Sequence, residues 1–113
     1  IVDKTLNMRI FPEESGDSGF DQSVVDVGGE LLLVSQFTLY ASTRKGRRPG
    51  FTDAARPEQA EPMFKEVIDA FRLNSGLPVE TGVFGASMKV DIENAGPVTI
   101  ILDSTDRKTP RRG

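Results

Sequence analysis

The sequence has 113 residues with 14 basic and 17 acidic side chains, a net charge of −3, and 37% hydrophobic and 27% charged residues. That balance suits one folded domain and excludes a disordered polyelectrolyte. With no cysteine and no histidine, disulfides, thiol chemistry, Ser-His-Asp and Cys-His arrangements and an imidazole base are all excluded.

A zinc site would have to be built from carboxylates alone, which is uncommon, so no metal and no cofactor is expected. Any hydrolysis must rest on carboxylates, backbone dipoles or the substrate itself. The absence of cysteine, with no leader pattern where Asp3, Lys4 and Arg9 interrupt the first residues, leads to an expected cytoplasmic location. No apolar run approaches the roughly 18 to 20 residues that cross a bilayer, so no membrane partner is expected.

Residues 1–11 place Val2, Leu6, Met8, Ile10 and Phe11 so as to predict a helix end running into a strand. The chain opens at Ile1, without methionine, on what reads as the end of an amphipathic element, and sequence upstream is expected. Residues 12–21, with Gly16, Gly19 and four acids, predict an exposed loop. A short strand over 23–27 precedes the Gly28-Gly29 turn. Residues 30–40 form the strongest predicted strand, and its Leu31 to Val34 run suggests a central strand covered on both faces.

Residues 41–56 read as a basic loop closed by Pro49-Gly50. Pro57 then opens a helix whose Ala60, Met63, Phe64, Val67, Ile68 and Phe71 make one apolar stripe. Glu58 and Glu61 suit its positive end, Gly76 and Pro78 mark its exit, and Pro62 is an oddity within the opening turns. Ala86, Met88, Val90 and Ile92 alternate with polar residues, predicting a half-buried strand. A turn at 94–97 and a last strand over 98–102 follow, and 104–113 reads as a basic, disordered tail. The pattern predicts an α/β fold, sheet layers with one or two packed helices, in a domain over residues 1–103.

Positive charge is segregated. Arg44, Lys45, Arg47 and Arg48 form one cluster; Arg107, Lys108, Arg111 and Arg112 form another, with only Asp106 among them. Setting those nine residues aside leaves 6 basic against 16 acidic side chains. Such an arrangement can guide a polyanion to one place while the rest repels it. A solvated loop and a frayed tail explain the charges equally well.

Two segments carry candidate chemistry. Ser35-Gln36-Phe37-Thr38-Leu39-Tyr40 interrupts an apolar strand with polar groups, and each such group buried without a partner costs about 1 to 3 kcal/mol. Taken alone, Ser35 and Thr38 are explained by bonds to a neighbouring strand or turn. Asn94-Ala95-Gly96-Pro97-Val98-Thr99 is, taken alone, a turn between strands.

Together the two segments resemble the signature motifs of the D-aminoacyl-tRNA deacylases, also known as D-tyrosyl-tRNA deacylases. The residues between them agree: Thr43-Arg44-Lys45-Gly46-Arg47-Arg48-Pro49, Gln59-Ala60-Glu61 and Thr81-Gly82-Val83-Phe84-Gly85-Ala86-Ser87-Met88. The resemblance covers residues 6–103. Members of the family begin with some tens of residues that have no counterpart here, including an opening β-hairpin.

The resemblance implies an enzyme that hydrolyses the ester of D-aminoacyl-tRNA, with glycyl-tRNA as a leak, to free tRNA and D-amino acid. It implies a homodimer in which a cis Gly96-Pro97 of one subunit enters the site of the other and repels L-substituents with its two carbonyls, a specificity built by exclusion. The Phe37 and Thr38 amides would stabilise the oxyanion, with Ser35 and Gln36 shaping the pocket. Thr99 belongs to the catalytic set by motif position but ranks second as a nucleophile, for want of a base nearby in sequence; the vicinal ribose hydroxyl of the tRNA handles the proton better. Ala60 and Phe84 would line the terminal-adenosine pocket, Phe84 having a core position as its competing reading. Met88 joins the substrate-binding set, with core packing the stronger competitor.

Arg44, Lys45, Arg47 and Arg48 would meet tRNA phosphates; no DNA partner is expected. Two rival functions remain, a paralogue that removes a mischarged L-amino acid using a trans Gly-Pro, and a catalytically silent tRNA-binding module.

Overall fold

A computed structural model describes residues 1–16 and 18–108. The chain forms two compact units, Glu30–Val90 and the pair of segments Ile1–Gly29 and Asp91–Gly113.

In the Glu30–Val90 unit, strand β1 (Leu31–Leu33) lies parallel to strand β2 (Val79–Thr81), with Leu31 opposite Val79 and Leu33 opposite Thr81. Parallel strands need a long crossover, and this one contains helix α2 (Pro57–Ser75). Pro57 at its start lacks only an N–H that would have gone unpaired. Gly76 ends it at φ 66°, a left-handed conformation that favours glycine. The helix continues through Pro62.

The apolar stripe deepens toward the helix C-terminus. Met63 is exposed, Phe64, Val67 and Ile68 are half-buried, and Phe71 and Ser75 are buried. Arg72 reaches from α2 to donate to the Val79 carbonyl at 3.2 Å, fastening helix to strand.

The predicted strand over 30–40 is shorter than expected and not covered on both faces: Leu32 is 60% exposed. Its ladder ends because the partner turns away. The Gly82 N–H donates to the Leu33 carbonyl, and Val83 then begins a turn closed by the Ala86 N–H. With no neighbour beyond that point, Phe37–Tyr40 winds into a 3-10 helix.

The other unit holds helix α1 (Val2–Asn7) and, among its described residues, the buried apolar side chains of Leu6 and Val24. Phe11 and Gln22 form an antiparallel bridge. The expected strand over 23–27 is instead a helical turn. Ser23 N–H donates to Asp26 Oδ2 at 2.9 Å, Asp26 N–H donates to Ser23 Oγ at 3.1 Å, and Val27 N–H closes on the Ser23 carbonyl. These local bonds outcompete a strand ladder. The two Ser23 donors, backbone first, hold the Asp26 carboxyl below its ordinary range, with Arg9 adding to the effect.

The expected strands over 86–92 and 98–102 are not formed among the described residues. A strand requires hydrogen-bonded neighbours, and these segments meet none. Ile92 and Ile101 are 78% and 89% exposed. The tail expected to be disordered begins with a 3-10 helix, Ser104–Lys108. Asp103 organises it by accepting the Thr105 N–H and hydroxyl, which lowers its own carboxyl pKa. Arg111 and Arg112 of the second basic cluster, and Asp17 of the first loop, lie outside the described residues.

Candidate functional site

The Glu30–Val90 unit gathers most of the residues singled out by sequence around one short turn. Ser35 and Gln36 bridge from β1 into the 3-10 helix, and Gln36 is its N-cap. The first N–H groups of a helix have no partner within it. The Leu39 and Ala41 N–H groups donate to the Gln36 and Thr38 carbonyls, whereas those of Phe37 and Thr38 donate to nothing among the described residues. A strand ladder would have engaged some of these donors; the 3-10 turn leaves two adjacent amides free. Gln36 Nε2 donates to Thr38 Oγ1, so the side chain before the pair grips the side chain within it.

This turn is fixed from the far side of the basic loop. Ser42 and Gly50 exchange both backbone hydrogen bonds, 2.7 and 2.9 Å, which pins the loop at its neck. Phe51, next in the chain, meets the ring of Phe37 edge-on, with centroids 5.0 Å apart and planes at 70°. Aromatic pairs in this geometry contribute about 0.5 to 1.5 kcal/mol beyond burial. Arg44, Lys45, Arg47 and Arg48, all exposed, therefore project from a loop whose neck is followed by the ring that packs on Phe37.

A second feature lies on α2. Phe84 is half-buried and its ring sits 6.3 Å from that of Phe64. Ala60 is half-buried one helical turn before Phe64, on the same face. Met88 folds back toward β2. A Cβ on Gly82 would stand 2.7 Å from Met88 Sδ and 3.6 Å from Val34 Cγ1, so the thioether covers the end of the sheet.

Gly96, Pro97 and Thr99 belong to the other unit. The Gly96-Pro97 peptide bond is cis, the isomer expected from the resemblance and not the trans form of the rival L-specific reading. Asn94 organises the turn: its Oδ1 accepts the Val98 N–H at 2.8 Å and its Nδ2 donates to Thr99 Oγ1 at 3.0 Å. The Thr99 hydroxyl is thus engaged as an acceptor, and no carboxylate or amine is among its hydrogen-bond partners.

Sequence reasoning named neither Phe51 nor Asn94 as a site residue. Asn94 had a usable signal, since asparagine side chains habitually bond the backbone of turns they begin. Phe51 had little, being one aromatic after a Pro-Gly closure.

No group of His, Cys, Asp and Glu suited to a metal occurs among the described residues, and no helix among them is long and apolar enough to cross a membrane. Near Glu13, Glu14, Ser15, Asp21 and Gln22 lies an open hollow of about 450 Å³, lined by acids.

Comparison with known proteins adds the family. Residues 1–103 match a model described as D-Tyr-tRNA(Tyr) deacylase. A protein of Aquifex aeolicus named D-aminoacyl-tRNA deacylase is 54% identical over 106 residues, 94% of this chain and 70% of its own length. Proteins of the same name from Chlorobaculum parvum and Chloroflexus aurantiacus are 54% and 52% identical, covering 89% and 99% of this chain and 66% and 68% of theirs. The chain thus spans about two thirds of these relatives. Among solved structures, one named c-Myc DNA Unwinding Element Binding Protein superposes with a TM-score of 0.81 at 44% identity, over 91% of this chain and 68% of that one. At that identity and overlap the two share a fold.

Proposed function

Since the chain belongs to the D-Tyr-tRNA(Tyr) deacylase family, we propose that it hydrolyses the ester of D-aminoacyl-tRNA, a chirality proofreading step in translation, with glycyl-tRNA as a secondary substrate. The observation that carries the catalytic part of this reading is the free pair of adjacent amides, Phe37 and Thr38, at the start of the 3-10 helix. Water adds to the ester carbonyl carbon, and the two N–H groups receive the oxyanion. One such donor is worth roughly 2.7 to 4 kcal/mol in comparable enzymes. The tetrahedral intermediate then collapses, the bond to the ribose oxygen breaks, and that oxygen takes up a proton to leave free tRNA and D-amino acid. The vicinal ribose hydroxyl of the substrate relays the proton.

Ser35 and Gln36 shape the pocket, Gln36 by its bond to Thr38. Thr99 is a motif residue without a base, and its bond from Asn94 supports a structural part for it in place of nucleophilic attack. Ala60 and Phe84, close in sequence or space to Phe64, hold the terminal adenosine by apolar contact. Met88 lies against Gly82 at the end of the sheet and is the weakest of the substrate contacts. Arg44, Lys45, Arg47 and Arg48 bind phosphates of the acceptor stem.

Gly96 and Pro97 exclude L-substituents, and they do so across a homodimer, each subunit's turn serving its partner's amide pair. The protein acts in the cytoplasm, on residues 1–103 as one functional domain, with no cofactor.

The test is binding of D-tyrosyl-tRNA measured beside its deacylation, with duplex DNA as a competitor. Release of D-tyrosine with a concentration-dependent dimer supports the reading. Binding without release makes the protein a silent tRNA-binding module, and a monomer that deacylates removes the shared site.

A further inference from the structure

Residues 94–99 have little to hold them. Apart from half-buried Val98 they are exposed, and among the described residues none of them makes a backbone–backbone hydrogen bond. Gly96 adds a φ of 131° and no side chain. What fixes the turn is one group: the Asn94 carboxamide, which accepts from Val98 N–H and donates to Thr99 Oγ1. Both partners follow the Gly-Pro pair and Asn94 precedes it, so one planar amide ties the entry of the turn to its exit and sets two distances at once.

The geometry points to Asn94 as the positioning residue for chiral selection, holding the Gly96 and Pro97 carbonyls where the substrate's Cα substituents must pass. This deepens the proposed function and rests on it. Exclusion of a mirror-image substituent depends on carbonyl positions being fixed, because a turn free to move by an ångström lets the wrong enantiomer in and aligns the right one poorly. Asn94 acts through the turn and touches no reacting atom.

Three variants separate the links. Asn94→Ala removes both. Thr99→Val removes the acceptor at Thr99 and leaves the Val98 bond. Asn94→Asp keeps the acceptor for Val98, while its second oxygen accepts from the Thr99 hydroxyl, so both links persist with one reversed. The experiment measures kcat/KM of each protein for D- and L-tyrosyl-tRNA, together with hydrogen exchange at the Val98 amide. Asn94→Ala is expected to lower the D/L ratio about tenfold or more, through kcat more than KM, and Thr99→Val a few-fold. Asn94→Asp restores most of the ratio. The Val98 amide exchanges slowly in the natural protein and in Asn94→Asp, and fast in Asn94→Ala.

An unchanged D/L ratio in Asn94→Ala, or no recovery with Asn94→Asp, overturns the positioning role. Fast Val98 exchange in the natural protein overturns the brace itself. If the natural protein leaves D-tyrosyl-tRNA intact, the proposed function fails, and the exchange data still decide whether Asn94 holds the turn.

Discussion

Replacing Gly96 by alanine crowds Val98 and puts a side chain on a backbone conformation that L residues rarely adopt. Gly96 sits at φ 131°, and an added Cβ would stand 3.0 Å from Val98 Cγ2 and 3.3 Å from the Val98 nitrogen. Holding a residue with a side chain in such a conformation costs about 1 to 3 kcal/mol. Pushing Val98 N away from Asn94 Oδ1 forfeits about 1 kcal/mol more. If the turn relaxes to escape that cost of about 2 to 4 kcal/mol, its carbonyls leave their positions. At about 1.4 kcal/mol per tenfold, selectivity falls roughly 30- to 1,000-fold.

Thr99→Ala loses one exposed hydrogen-bond acceptor, about 0.5 to 1.5 kcal/mol, a change of several-fold. The assay is a time course of amino-acid release from D- and L-tyrosyl-tRNA under kcat/KM conditions for both variants. Near-complete loss of activity in Thr99→Ala, with Gly96→Ala little affected, refutes the backbone mechanism and makes the threonine the catalyst.

Neutralising Arg44, Lys45, Arg47 and Arg48 together should weaken tRNA binding and flatten its dependence on salt by up to about three units of log–log slope; an unaltered slope in filter binding removes the loop from the interface. Phe51→Ala withdraws the edge contact to Phe37, worth about 0.5 to 1.5 kcal/mol. It should lower kcat severalfold while KM for tRNA moves less; a raised KM with kcat unchanged would mean the ring supports binding alone. The Ser23–Asp26 turn makes a pH-dependent contribution to stability. The folded carboxyl titrates below 3.8, so its contribution is complete above that value and is lost as pH falls through the lowered one. Thermal melts from pH 6 downward should show a shallower acid decline for Asp26→Asn than for the natural protein, and parallel curves would refute the turn's role.

The crossover unit was legible because its signals are local and agree. Pro57, the stripe ending at Phe71 and the Gly76 exit specify α2 without reference to anything distant. The strand errors have a common physical origin. Alternation at 86–92 and the apolar run at 30–40 describe segments fit for a sheet, but a strand exists only where a neighbour supplies bonds, and a single sequence does not say where the neighbour ends. That is why Phe37–Tyr40 reads as strand and folds as a 3-10 turn.

The misreading matters to function, since the free Phe37 and Thr38 amides follow from the ladder stopping at Gly82. At 23–27 the Ser23–Asp26 pair was the overlooked competitor, two side chains satisfying the backbone more cheaply than a distant strand. For the site, the motif resemblance singled out Ser35 to Thr38 and Gly96 to Thr99; the Phe51–Phe37 ring contact had no such signal, because it joins residues across a loop.

The most direct measurement is the relative rate at which the protein releases amino acid from matched D- and L-tyrosyl-tRNA under single-turnover conditions. Complete release of D-tyrosine, with the L-ester decaying no faster than in buffer, is the predicted result. Equal rates for the two enantiomers would contradict a turn that sorts by handedness.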